Sequence, residues 1–152
     1  MMLTFASAVL LLSGCEKENG GNGNSDANSY ENIDYWVYTF QIGVSGRLDG
    51  VFKMCATNDK FFHAENFYNT NNGYNYSCDI CCVGEVAGLS SITVIPGDWF
   101  ESVAIVPGYG YVGRSTESSG YKFYRRFFVT DIVKDSNGDW LAVKIRYASL
   151  DY

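Results

Sequence analysis

The chain has 152 residues, of which 47% are hydrophobic and 18% are charged, and its formal net charge at pH 7 is −6. This composition excludes a wholly disordered protein, and the length suits one hydrophobic core better than two. The acidic balance argues against nucleic acid and acidic polymers as partners, since both need a basic face.

The N-terminus carries a short apolar segment that ends at a cysteine. Residues 3–14 bear no charge, the run closes with Leu12, Ser13 and Gly14, and Cys15 follows. The run is too short for a transmembrane helix, which needs roughly 20 residues, but it suits a secretory signal. It resembles the lipobox of bacterial lipoproteins. The resemblance implies that residues 1–14 are a signal peptide and that Cys15 is lipidated and anchors the protein in a membrane.

A polar segment follows the cysteine. Residues 16–29 are nearly all Gly, Asn, Ser, Asp, Glu or Lys, a composition that cannot bury apolar area. We therefore predict that residues 15–30 form a lipidated, flexible tether that holds the domain about 20 Å from the membrane. Glu16, Lys17 and Glu18 resemble the tag that Bacteroidetes lipoproteins carry when they are exported to the outer cell surface. This resemblance implies an outer-membrane protein that faces the outside of the cell, with the inner leaflet of the outer membrane as the alternative address.

The first half of the domain alternates β-prone runs with turn residues. Aromatic and β-branched residues favour strands, Gly and Asn favour turns, and Asn58 suits a helix N-cap. The pattern predicts strands at 35–42, 51–56, 78–86 and 92–95, a turn at 43–50, a short helix at 58–67 and a loop at 69–75.

The C-terminal third gives the clearest local pattern. A short strand is predicted at 103–106, and long β-prone runs at 121–133 and 140–150 flank Asn137 and Gly138. Because Asn-Gly strongly favours a hairpin turn, residues 123–146 are predicted to form a β-hairpin. The whole pattern predicts one all-β, mainly antiparallel domain at 31–152, built as a small barrel or sandwich.

Three C-terminal stretches carry a family resemblance. They read VGEVAGLSSIT at 83–93, VAIVPGYGYV at 103–112, and YRRFFVTDIV at 124–133 followed by VKIRY at 143–147. In this order and spacing they resemble a family of Bacteroidetes outer-membrane or surface lipoproteins of unknown function. The resemblance implies a β-rich C-terminal block and a surface address, and it implies no activity.

One glycine motif has the form of a nucleotide-binding fingerprint. Gly108, Gly110 and Gly113 match G-x-G-x-x-G, but the fingerprint needs a helix N-terminus after the glycines, and a loop-like segment follows here. We interpret the motif as a turn between two strands and expect no cofactor.

The cysteines leave several alternatives open. Cys55, Cys78, Cys81 and Cys82 are an even set in an exported chain, which is typical of disulfides, but they could also be buried free thiols. Cys55, Cys78 and Cys81 with His63 are a conceivable zinc set, although a second Cys-x-x-Cys is missing. A redox Cys-x-x-Cys, or a nucleophilic Cys–His pair with His63, lacks its usual sequence context. We expect no metal.

Scattered carboxylates give a weak enzyme signal. Asp98 and Glu101 flank an aromatic pair, and Asp131 lies in a predicted strand. A glycosidase needs two carboxylates that face each other across a cleft, which these positions do not establish. A small exported hydrolase is therefore the alternative hypothesis, and no catalytic residue is assigned.

The segment at 68–76 is the best candidate for binding. It is rich in tyrosine and asparagine, and exposed tyrosines with amides suit sugar rings and polar protein surfaces. The same rings could instead fill a small core. The candidate ligand-binding residues are Tyr68, Tyr74, Tyr76, Trp99, Tyr109 and Tyr111. The sequence thus predicts a lipid-anchored, non-catalytic surface module that binds glycan or protein, with a purely structural envelope lipoprotein as a further alternative.

Overall fold

The computed structural model describes residues 33–151 and the backbone of one strand at Glu16–Glu18. Cys15, the predicted signal peptide and the rest of the predicted tether lie outside the described residues. The strands, in chain order, are β1 (Glu16–Glu18), β2 (Tyr35–Gln41), β3 (Ser45–Leu48), β4 (Phe52–Ala56), β5 (Phe61–Ala64), β6 (Phe67–Asn69), β7 (Tyr74–Glu85), β8 (Ser102–Ala104), β9 (Tyr109–Glu117), β10 (Lys122–Lys134) and β11 (Trp140–Ser149). The domain is all-β, as predicted.

The strands form two antiparallel sheets. The large sheet is curled like half a barrel and has the order β1-β2-β11-β10-β9-β7-β6, and the small sheet has the order β3-β4-β5-β8. The predicted C-terminal hairpin is confirmed, since β10 and β11 pair along almost their whole length around the turn at Gly138, whose φ is 85°. Within residues 33–151, the helical part is a single 3₁₀ turn at Leu89–Ser91, and no helix there is long and apolar enough to cross a membrane.

Each face of the large sheet has its own core. The main core lies between the two sheets and includes the fully buried rings of Phe52, Phe62 and Phe127. A smaller core lies on the opposite face, where the connection from β7 to β8 covers the sheet with Leu89 and Ile92. Both cores follow from the alternation of side chains along the strands, which sends neighbouring residues to opposite faces.

The predicted helix at 58–67 is wrong, because this segment forms a hairpin and two strands. The Thr57 backbone N–H donates to the Phe61 carbonyl at 2.9 Å, and Lys60 adopts a φ of 69°, which closes a tight turn between β4 and β5. Phe61 is exposed and Phe62 is buried, so the period is that of a strand. Asn58 lies in the turn and does not begin a helix.

Three other local predictions also differ from the structure. The predicted turn at 43–50 contains β3, whose Gly46 lies so close to the Tyr38 hydroxyl and the Phe40 ring that a Cβ would collide with them. The predicted strand at 92–95 pairs with none of the described strands. This segment instead lies over one face of the large sheet, where Ile92 is part of the smaller core. Where a tether is predicted, Glu16–Glu18 pair with the edge of β2.

The G-x-G-x-x-G glycines lie mainly inside β9 and only partly in a turn. Gly108 takes up a turn conformation with a φ of 81°, whereas Gly110 and Gly113 are strand residues. A Cβ on Gly110 would lie 2.7 Å from Ile92, and one on Gly113 would lie 2.6–2.8 Å from the Phe52 ring. The spacing of these glycines therefore reflects close packing on both faces of the sheet.

Gly113→Ala tests this packing explanation. Phe52 is fully buried and cannot move aside, so we expect overpacking to lower the free energy of unfolding by about 1–3 kcal/mol in urea denaturation. Gly97→Ala is the control, since Gly97 has no atom within 4 Å of its Cβ position, and it should leave stability nearly unchanged or slightly raised. Equal effects of the two substitutions would contradict the explanation.

Candidate functional site

A groove lies at one end of the large sheet, where β6, β7 and β9 are neighbours. Its volume is about 570 Å³. The described residues that line it are Asn66, Phe67, Tyr68, Asn75, Tyr76, Ser77, Thr116, Glu117 and Ser118. The lining is mainly hydroxyl, amide and aromatic, and it includes part of the segment that the sequence singles out at 68–76.

An asparagine-rich turn joins β6 to β7 next to the groove. The Asn69 side-chain oxygen accepts the Asn71 backbone N–H at 3.0 Å, and the Asn72 side-chain oxygen accepts the Tyr74 N–H at 3.1 Å. Such asparagine turns replace the backbone hydrogen bonds that a tight turn leaves open. Several amides of the segment therefore hold the turn together, although the sequence alone favours a role for them in ligand binding.

Tyr68 is the most exposed aromatic residue of the groove. Its side chain is 54% exposed, and its hydroxyl lies beside Gly73 in the turn, 3.8 Å from where a Cβ would be. Tyr68 pairs in register with Asn75, so the ring and the amide project from the same face of the sheet. This position leaves an aromatic face free to stack on a ligand.

A hydrogen-bond chain lies beneath the groove, around the buried hydroxyl of Tyr76. The Asn72 amide donates to the Tyr76 hydroxyl at 2.7 Å, and the Tyr76 hydroxyl donates to Glu117 Oε2 at 3.0 Å. Ser119 donates to the other carboxylate oxygen of Glu117 at 2.5 Å. The chain fixes the Glu117 carboxylate beside Tyr76, on the face of the sheet opposite Tyr68.

Tyr76 supports the groove from below and offers little surface to a ligand. It is 2% exposed, and its ring stacks on Phe67 at a centroid distance of 4.9 Å. Burial and the neighbouring Glu117 raise the pKa of its phenol, so the hydroxyl stays protonated and keeps donating.

The other predicted aromatic residues lie outside the groove. Tyr74 is exposed at the start of β7 but does not line it. Trp99 is half-buried, with the Arg114 guanidinium 4.4 Å from its ring centroid and the Tyr124 ring at 6.0 Å. Because Trp99 is half-buried against these neighbours, it is less exposed than Tyr68.

Tyr111 belongs to the main core and Tyr109 packs against that core, so neither residue lines the groove. Tyr111 is fully buried and stacks on Phe127 at 5.2 Å. The Tyr111 hydroxyl donates to the Ala104 carbonyl at 2.8 Å and accepts the Val106 N–H at 2.9 Å. These bonds tie β9 to the end of β8, and burial raises the pKa of the phenol.

The four described cysteines are free thiols, which is one of the alternatives that the sequence leaves open. Cys78 lies in the main core and Cys82 packs against it, whereas Cys81 is buried on the opposite face of β7. His63 lies on β5, opposite Cys55 in register. In residues 33–151 no three His, Cys, Asp or Glu side chains gather in a geometry that could hold a metal ion.

Thiol labelling provides a direct test of the cysteine state. Burial raises the pKa of Cys78 to about 11 and also raises those of Cys55 and Cys81, so few reactive thiolates exist at pH 8. We expect the folded Cys15→Ser protein to label slowly at these three positions. After unfolding without reductant, mass spectrometry should count four labelled cysteines. A count of two labelled cysteines instead of four would show that the other two form a disulfide.

The raised pKa of Cys78 also makes the stability of the fold depend on pH. The folded pKa of Cys78 lies above its ordinary value of 9.0, so this thiol contributes stability below pH 9 and loses that contribution as the pH rises towards about 11.

The carboxylates named from the sequence lie on separate surfaces. Asp98 and Glu101 are exposed in the connection that leads to β8, and Asp131 is exposed on β10 opposite Lys144. None of the three lines the groove.

Sequence reasoning missed two residues near the site. Glu117 reaches Tyr76 only because β7 and β9 pair in register across 41 residues, and no local motif signals that pairing. Tyr121 is 64% exposed and lines a second depression, of about 610 Å³, beside the start of β10. The available signal was the position of Tyr121 at the start of the β-prone run at 121–133.

Comparison with known proteins gives no assignment for this fold and groove. The chain matches no known protein family, and comparisons with curated proteins and with solved structures each find no match. The residues of the groove are therefore the basis for assigning a function.

Proposed function

We propose that the protein is a lipid-anchored, cell-surface binding module and that its groove binds carbohydrate. The observation that carries the proposal is the exposed ring of Tyr68 beside hydroxyl and amide side chains on the same face of the sheet. Sugars combine an apolar ring face with a rim of hydroxyls, which such a surface complements through stacking and hydrogen bonds.

The size of the groove favours a saccharide over a protein partner. Small-ligand sites typically have volumes of about 300–1,000 Å³, and this groove, which is open to solvent along much of its surface, has about 570 Å³. A stable protein interface instead buries about 800 Å² on each partner, usually around a cluster of apolar anchors. Among the described lining residues, Tyr68 is the one strongly exposed aromatic side chain.

The groove suits binding rather than hydrolysis. Glu117 is the only carboxylate among its described lining residues, and most glycoside hydrolases need a pair. Both Glu117 oxygens also accept hydrogen bonds, from Tyr76 and from Ser119, and the carboxylate lies on the face of the sheet opposite Tyr68.

The location of the groove supports presentation away from a membrane. β1 directly follows Cys15 and lies at one edge of the large sheet, whereas β6 lies at the other. If Cys15 carries the lipid, as its resemblance to a lipobox implies, the anchor and the groove occupy opposite edges of the domain.

A glycan array followed by thermal-shift measurements on the lipid-free Cys15→Ser chain tests the proposal. A ligand that binds only the folded state raises the melting temperature in proportion to its concentration over Kd. We expect at least one immobilised glycan to bind, and its soluble form to raise the melting temperature. No binding to any glycan, with clear capture of a protein partner on whole cells, would overturn the carbohydrate assignment.

A further inference from the structure

We propose that the hairpin of β3 and β4 in the small sheet holds Tyr68 in position for the ligand, with Arg47 as the positioning residue. This inference rests on the proposed carbohydrate function. It adds a residue outside the groove lining and gives the small sheet a part in binding.

Tyr68 lies in a strand that receives little support from its own sheet. β6 has three residues and is the last strand of the large sheet, so β7 is its one neighbour among the described strands of that sheet. Segments with few contacts open locally at a lower free-energy cost than central strands. The position of the Tyr68 ring therefore depends on the contacts that hold β6 from the core side.

The first of these contacts is made by Arg47 on β3. Side chains alternate along a strand, so Phe67 points to the core face and Tyr68 to the opposite face. The Arg47 guanidinium lies over the Phe67 ring, 4.4 Å from its centroid, and the same ring stacks on Tyr76 at 4.9 Å. Arg47 thus fixes the residue that directly precedes Tyr68.

The second contact comes from the tip of the hairpin. Asn69 follows Tyr68, points to the core face and is 9% exposed. Its side-chain nitrogen donates to the Gly50 carbonyl at 3.4 Å, and its side-chain oxygen accepts the Asn71 N–H at 3.0 Å. The hairpin therefore contacts β6 on both sides of Tyr68 and leaves the tyrosine ring uncovered.

The hairpin is itself fastened to the large sheet. Asp49, at its tip, accepts a hydrogen bond from Arg125 Nε at 2.9 Å on one oxygen and from the Tyr147 hydroxyl at 3.2 Å on the other. Arg125 lies on β10 and Tyr147 on β11, which are central strands of the sheet. Bonds between charged partners are stronger than neutral ones. The hairpin therefore links the centre of the large sheet to its edge at β6.

A side chain that is already held in place binds a ligand more tightly than a mobile one. Ordering a mobile segment during binding costs free energy, and a pre-ordered site avoids that loss. Because Arg47 is not part of the groove lining, its removal should weaken binding only by making β6 and the Tyr68 ring more mobile.

Arg47→Ala in the isotopically labelled Cys15→Ser chain tests the inference, and the variant should fold because Arg47 is exposed. Without ligand, we expect the backbone order parameters at 67–69 to fall from about 0.85, typical of rigid backbone, towards about 0.6. Neutral oligomers of glucose, mannose and galactose are the probes for calorimetry. The affinity for the tightest of them should fall at least threefold. Arg47→Lys keeps a cation over the Phe67 ring and should bind within twofold of the wild type.

Arg146→Ala is the matched control. The Arg146 guanidinium lies 4.8 Å from the Tyr35 ring centroid on the other side of the sheet order from β6, so the substitution removes the same kind of contact and the same charge. It should leave both the order parameters at 67–69 and the affinity unchanged.

The outcomes separate the two proposals. Unchanged order parameters at 67–69 in Arg47→Ala, or a fall in them without loss of affinity, would overturn the positioning role and leave the carbohydrate function standing. An equal loss of affinity in Arg146→Ala would overturn it as well, because the effect would then follow net charge. Binding of none of the oligomers by the wild-type protein would overturn both proposals.

Discussion

Replacing Phe62 with alanine should lower the free energy of unfolding by about 3–5 kcal/mol. Phe62 is fully buried on β5, and its ring meets Tyr111 edge-on at 5.4 Å and Phe127 edge-on at 5.5 Å. Phe40 lies at 6.2 Å. The ring thus fills the space between the two sheets, and alanine leaves a cavity that rigid aromatic neighbours cannot close.

The adjacent Phe61 provides the matched control. It carries the same side chain on the same strand but is 37% exposed, because it points away from the core. Phe61→Ala should therefore lower the free energy of unfolding by less than about 1 kcal/mol, as is usual for surface positions. Chemical denaturation measures the free energy of unfolding of both variants. Similar losses of stability in the two would contradict the strand assignment at 61–64.

The second large effect concerns the ligand. Tyr68→Ala should weaken carbohydrate binding at least tenfold, which corresponds to about 1.4 kcal/mol, because the substitution removes the exposed stacking face of the groove. Since the ring is 54% exposed, its removal should change the melting temperature little. The measurement is calorimetry with the glycan that gives the largest thermal shift.

Phe100→Ala distinguishes the groove from nonspecific aromatic contact. Phe100 is 53% exposed, nearly the same as Tyr68, but it lies beside Ile80 and outside the groove lining. The variant should keep wild-type affinity. Loss of binding in Phe100→Ala together with retention in Tyr68→Ala would place the site elsewhere.

The fold class and the C-terminal hairpin could be predicted because their signals are local. Asn137 and Gly138 determine a tight turn, and the β-prone runs on either side have no competing helical period. The helix predicted at 58–67 is wrong for the opposite reason. Asn58 suits a helix cap and a turn equally well, and only the burial of Phe62 between two sheets decides between them.

The candidate site could be predicted only in part, because the burial of a tyrosine depends on strand pairing. Tyr68 and Tyr111 are both tyrosines in glycine- or asparagine-rich surroundings, yet one is exposed at a sheet end and the other is at the centre of the core. The chain places Tyr68 by pairing β6 with β7 and Tyr111 by pairing β7 with β9, and the second pairing also brings Glu117 to Tyr76. Interactions at such sequence separation leave no local pattern in a single sequence.

The most direct test of the central claim is an NMR titration of the isotopically labelled Cys15→Ser chain with the neutral oligosaccharide of highest affinity. We predict that backbone amide shifts change most at 66–68, 75–77 and 116–118, which line the groove. Changes centred on Trp99 and Tyr109, or no changes under saturating ligand, would contradict the assignment of the groove as the carbohydrate site.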